Sequence, residues 1–150
     1  MAETGGTAPT LVVGHSRHPS SDFALAAAVD LARRVGGRLH VVHVIETKDY
    51  PVDSDAADWE QQGAAVIAEQ RRRLETRLRD AGVPWSYEDR HGDPASELTR
   101  VATDQHALVI VLGTRGEGVR QALSRLIEPS VLYGVIGRQH RPVLVVPSPE

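Results

Sequence analysis

VVGHSRHPSSDFALAAAVDLARRVGGRLHVVHVIE, residues 12–46, decides the fold. It opens on a short apolar run, closes on another, and holds between them a stretch whose apolar residues recur at helical spacing. A strand, a helix and a second strand in that order form a βαβ unit, which lays its two strands parallel. Ser20 or Ser21 offers a hydroxyl cap for a helix running through FALAAAVDLARRV, and Gly36 with Gly37 supplies its stop.

Working outward, five apolar runs read as strands: Thr10 to Gly14, Arg38 to Ile45, Trp85 to Asp89, Ala107 to Leu112 and Val143 to Val146. The second, fourth and fifth are rich in Val, Ile and Leu without strict alternation, as strands covered on both faces require. A second helix spans roughly Asp58 to Asp80 and carries Arg71, Arg72, Arg73, Arg77 and Arg79. Asp93 then Pro94 reads as an N-cap with proline at the first helical position, opening ASELTRVATD. A last helix, or two short ones broken at Pro129, fills Val119 to Gln139. The expected fold class is α/β, a single domain with an open parallel five-stranded sheet and helices on both faces. Residues 1–9 are expected to be a flexible tail and 10–150 the domain.

Composition narrows the function classes. A formal charge of −3 gives no basic field with which to neutralise phosphates along a nucleic acid. The arginines of the second helix alternate with Glu69, Glu75 and Asp80, which suits local pairing on a solvated face. With no cysteine there is no disulfide, thiol nucleophile or thiolate metal site. No apolar run approaches the roughly 18 residues of a membrane span, and Met1 to Pro9 lacks the apolar core of a signal peptide. A cytoplasmic protein without membrane or nucleic-acid partners is expected.

No metal site is expected either. Asp53, Asp55 and Asp58 lack the central Gly and closing Glu of a calcium loop. His40 and His43, three apart on one strand, point to opposite faces and do not share an ion. Ser16 with His18 lacks the strand-turn-helix setting and third member of a hydrolytic triad. His15 and His18, in the first loop, would contact an anion when protonated.

In an open parallel sheet ligands lie beyond the carboxyl ends of the strands, where successive connections take opposite faces. Two glycine-bearing loops sit there: GHSRHPSS, residues 14–21, and GTRGEG, residues 113–118. Glycines let backbone N–H groups approach an anion, and a following helix start adds partial positive charge. The same glycines also suit an ordinary strand-to-helix turn. Gly113, Gly116 and Gly118 form neither a P-loop nor a dinucleotide fingerprint.

GTRG followed by a helix, PSV and the terminal PVLVVP resembles the carboxyl-terminal half of universal stress proteins. Residues 12–46 resemble their amino-terminal half, and HGDPASEL, residues 91–98, their third βα junction. The resemblance covers Thr10 to Pro147 and implies a Rossmann-like, adenine nucleotide alpha hydrolase-like fold and a homodimer paired through Val143 to Val146. It also implies ATP or another adenine nucleotide as ligand, with Gly14, Ser16, Val44, Gly113, Thr114, Arg115, Gly116, Ser130 and Val131 as binding positions. Members that bind ATP carry Gly, two residues, Gly, nine residues, Gly and Ser or Thr, where this chain has Gly113, Gly116, a twelve-residue spacer, Pro129 and Ser130. Their first-loop aspartate corresponds to Ser16. Proline offers no N–H to a phosphate and Glu128 beside it repels one. Three functions stay open: a stress-response regulatory or interaction protein with a degenerate nucleotide pocket, an ATP binder of ordinary affinity with slow hydrolysis, and an enzyme acting on another small anion.

Overall fold

The computed structural model describes residues 8–16, 20–45, 59–113 and 141–147. Five strands, β1 (Thr10–Gly14), β2 (Arg38–Ile45), β3 (Trp85–His91), β4 (Val109–Gly113) and β5 (Val143–Val146), alternate with helices α1 (Ser20–Val35), α2 (Trp59–Leu78) and α3 (Pro94–Asp104). All strand pairs are parallel, in the order β3-β2-β1-β4-β5. The chain therefore builds outward from β1 to β3 and then returns to lay β4 on the other side of β1. That reversal is the switch point at which such sheets bind ligands.

Strand alternation splits the core into two layers. Leu11, Val13, Leu39, Val41 and Val111 meet Ala24, Leu25, Ala28 and Ala32 of α1 and Leu74 and Leu78 of α2. Val12, Val42, Ile110 and Leu112 meet Ala95, Leu98, Val101 and Ala102 of α3. Helices on both faces explain why these strands read as continuous apolar runs.

The expected strand bounds hold for β1, β2 and β5, while two others shift. β3 continues beyond Asp89 to His91 because its ladder with β2 runs on through Ile45. Ala107 leaves β4, because its N–H still donates to Ala102 at the end of α3 and His106 turns the chain at φ +51°. Ser20 and Ser21 sit inside α1 rather than capping it, both buried. α2 ends at Leu78, where the N–H of Ala81 closes a turn on the Leu78 carbonyl and Gly82 takes φ +78°. Asp93 caps α3 as expected, its carboxylate accepting from the Ser96 N–H. The expected helix over Val119 to Gln139 and the acidic loop over 46–57 lie outside the described residues. Among the described residues, no helix is long and apolar enough to cross a membrane.

Candidate functional site

The loops after β1 and β4 meet because β1 and β4 are neighbours. Their register pairs Val13 with Val111, which sets Gly14 beside Leu112, one residue before Gly113. Both glycines stand at close approaches. A Cβ on Gly113 would lie 2.5 Å from the Ser20 carbonyl oxygen, and one on Gly14 would lie 2.8 Å from Leu112 Cδ2. The first turn of α1 thus rests directly on the end of β4. Only glycine permits that contact.

Ser16 follows Gly14 by two residues. Its N–H donates to Ser21 Oγ at 3.0 Å and the two hydroxyls lie 2.9 Å apart, tying the loop to α1. Val44 faces the α3 layer, partly buried against the cluster that includes Leu98 and Leu112. Gly14, Ser16, Val44 and Gly113 therefore lie near one another at the carboxyl ends of three adjacent strands. Thr114, Arg115, Gly116, Ser130 and Val131 lie outside the described residues.

Residues 8–147 match the universal stress protein family. The chain belongs to that family. It is 27% identical over 140 residues to Universal stress protein MJ0531 of Methanocaldococcus jannaschii, covering 87% of this chain and 78% of that one. It superposes with TM-score 0.70 on a universal stress protein from Burkholderia pseudomallei, 25% identical, covering 97% and 100% of the two chains. A universal stress protein solved in complex with cAMP shares the fold at TM-score 0.67 and 24% identity, over 94% of this chain and 98% of that one.

On the α1–α2 side of the strand ends, this family member carries a polar cluster that the sequence reading did not assemble. His15 is buried and its Nε2–H donates to Asp22 Oδ1 at 3.2 Å. Arg77 of α2 reaches the other Asp22 oxygen at 3.2 Å, and Gln70 Nε2 lies 3.4 Å from His15 Nδ1. The only local cue was His15 and Asp22 seven residues apart; Gln70 and Arg77 come from another helix and leave no local signal. The arginine stripe is accordingly not one uniform solvated face. Arg72 pairs with Glu69 and Arg71 with Glu75, but Arg71 also stacks over Tyr87 at 5.3 Å and Arg77 crosses to α1.

His40 and His43 do take opposite faces. Toward α3, His40 sits between Ser86 Oγ at 2.6 Å and Glu88 Oε2 at 2.5 Å. Burial pushes the Glu88 carboxyl up, but the hydrogen bonds from His40 and Arg90 outweigh it and hold it below the usual range. Toward α2, His43 Nδ1 stands 3.4 Å from Asp89 Oδ1, which also accepts from Tyr87 at 2.5 Å. Burial and that hydrogen bond push the Tyr87 hydroxyl well above its ordinary value.

Burial depresses the His15 pKa below 6.5, only partly offset by Asp22. The unfolded chain then binds the proton more readily than the native one, so stability is complete above about pH 6.5 and falls as pH drops through the native pKa. Each unit of depression corresponds to about 1.4 kcal/mol. In urea unfolding, the stability difference between native protein and a His15→Asn variant is expected to shrink on acidification from neutral pH. A difference that grows with acid would contradict it.

Proposed function

We propose that this chain is a stress-response regulatory or interaction protein, homodimeric through β5, whose switch-point crevice takes an adenine nucleotide weakly. The observation that carries the reading is the convergence of Gly14, Ser16, Val44 and Gly113 at the strand ends. The relative solved with cAMP supports an adenine nucleotide as the class of ligand. Weakness follows from two residues. Ser16 stands where nucleotide-binding members carry an aspartate, and its hydroxyl is turned to Ser21. Pro129 has no N–H to give a phosphate. A missing hydrogen bond to a charged acceptor costs roughly 1.5–3 kcal/mol, and about 1.4 kcal/mol is tenfold in affinity.

Calorimetric titration of ATP into the native protein is expected to give binding weaker than roughly 10 μM or none. Low-micromolar affinity would overturn the degenerate-pocket reading.

The dimer is supported by the sheet edge. β5 pairs only with β4 among the described strands, Leu144 on it is 38% exposed and Phe23 on α1 43%. A bare apolar edge strand invites pairing with a second copy about a two-fold axis. Light scattering at roughly tens of micromolar is expected to give twice the chain mass, and a monomer there would refute the interface.

A further inference from the structure

The cluster around His15 leaves one group unused. Gln70 is buried, and its Oε1 has no hydrogen-bond partner among the described residues. The orientation of that oxygen follows from its neighbours. Neutral His15 must carry its proton on Nε2 to donate to Asp22, because the other tautomer would set two acceptors face to face. Nδ1 is then an acceptor, and only the amide NH2 of Gln70 can meet it. The amide oxygen is thereby the end left over, and Gln70 lines the cavity bounded by His15, Ser16, Asp22, Arg73, Leu74 and Arg77. A buried bare acceptor is costly, and the cost is relieved when a donor arrives.

The charges around it select what that donor belongs to. Asp22 is matched by Arg77 and hydrogen-bonded by neutral His15, and Glu69 is matched by Arg72. Arg73 has no ion pair with any described residue, so its positive charge is the excess at the mouth. A cationic ligand is repelled there. A neutral one leaves Arg73 unused. An oxyanion with only acceptor oxygens places one of them against Gln70 Oε1. An oxyanion that also carries an O–H satisfies both.

We propose that this α1–α2 pocket is a site for inorganic phosphate, its oxygens held by the guanidiniums of Arg73 and Arg77 and its hydroxyl donated to Gln70 Oε1. The dimensions suit that division. The cavity measures about 10 Å³, room for one water-sized group such as a single hydroxyl. A neighbouring groove of about 330 Å³, lined by Gln70, Arg73 and the Arg72-paired Glu69, takes the oxygens that Arg73 holds, while Arg77 reaches the anion from the cavity side. The cavity shares Ser16 with the crevice, but its guanidiniums and Gln70 belong to α2, on the opposite face of the sheet from Val44.

The test is an NMR titration of the full chain at about pH 7.5, following the His15 ring and the Gln70 side-chain amide. Inorganic phosphate, methyl phosphate and sulfate are the three probes. At that pH methyl phosphate, with a second pKa near 6, has lost its last O–H, and sulfate has none. Phosphate is expected to shift both side chains with roughly millimolar or tighter affinity, at least about tenfold better than either other anion. Arg73→Ala, an exposed change that leaves the fold intact, is expected to abolish the shifts. Gln70→Met, of similar length, is expected to erase the preference for phosphate over sulfate. Equal binding of phosphate and sulfate by the native chain would overturn the proposal, as would phosphate shifts that survive Arg73→Ala. So would undisturbed His15 and Gln70 signals, the sign of a pocket filled by water alone. Shifts confined to Gly14 and Gly113 would assign phosphate to the crevice and equally refute this site, while leaving the nucleotide reading intact.

Discussion

Gly113→Ala is expected to lower stability by about 1–3 kcal/mol, and Gly113→Val by more. The new Cβ would stand 2.5 Å from the carbonyl oxygen of Ser20 and 3.0 Å from its carbonyl carbon. Both atoms are backbone in the first turn of a helix, so no side chain can rotate away. Relief requires α1 to lift off β4, and α1 supplies Ala24, Leu25, Ala28 and Ala32 to the core. The loss should appear as a lower urea midpoint with an unchanged slope, and as a melting temperature lower by roughly 3–10 °C. A variant as stable as the native chain would show that α1 does not rest on β4 as described. Gly14→Ala is expected to cost less, because its Cβ meets the end of a leucine side chain that can shift.

Leu74→Ala is expected to cost about 2–5 kcal/mol. Leu74 is 1% exposed and anchors α2 to the cluster formed by α1 and the strands. Its removal leaves a cavity that the backbone fills only in part, adding to the lost transfer energy. Glu75, the next residue, is exposed and pairs with Arg71 at 3.7 Å on the surface. Such a pair is worth about 0–1 kcal/mol, so Glu75→Ala is the control. Comparable losses in the two variants would mean that α2 does not pack through Leu74.

The same packing logic explains which elements were legible in the chain. β1 and β2 end where the sequence reading put them because their apolar runs stop at Gly14 and start after Gly37, and the structure uses those glycines as boundaries. β3 was read two residues short. Arg90 and His91 look like loop residues, yet the parallel ladder to Val44 and Ile45 keeps them extended. Ser20 and Ser21 carry the composition of caps, but burial draws them into the helix, and Ser21 spends its hydroxyl on Ser16.

That Gly14 and Gly113 end neighbouring strands was legible in the chain, because glycine after an apolar run marks a strand end. Gly14 and Gly113 are local signals. The polar cluster was not, because it joins His15 to Gln70 across 55 positions and depends on which face of α2 turns inward. The arginine stripe showed that α2 was charged, not that Arg77 would cross to Asp22 while Arg73 would not. Helix faces are assigned by packing, and α2 packs Leu74 and Leu78 into a cluster built from the strands and α1.

Weak nucleotide binding is proposed to arise at two positions, Ser16 and Pro129. Calorimetry of ATP with a Ser16→Asp, Pro129→Gly double variant, set beside the native chain, tests this most directly. The restored carboxylate and N–H are expected to tighten binding by at least about tenfold, since each restored group contributes on the order of 1.5–3 kcal/mol. No gain in a folded double variant would contradict the account, and would place the obstruction in the twelve-residue spacer between Gly116 and Pro129 instead.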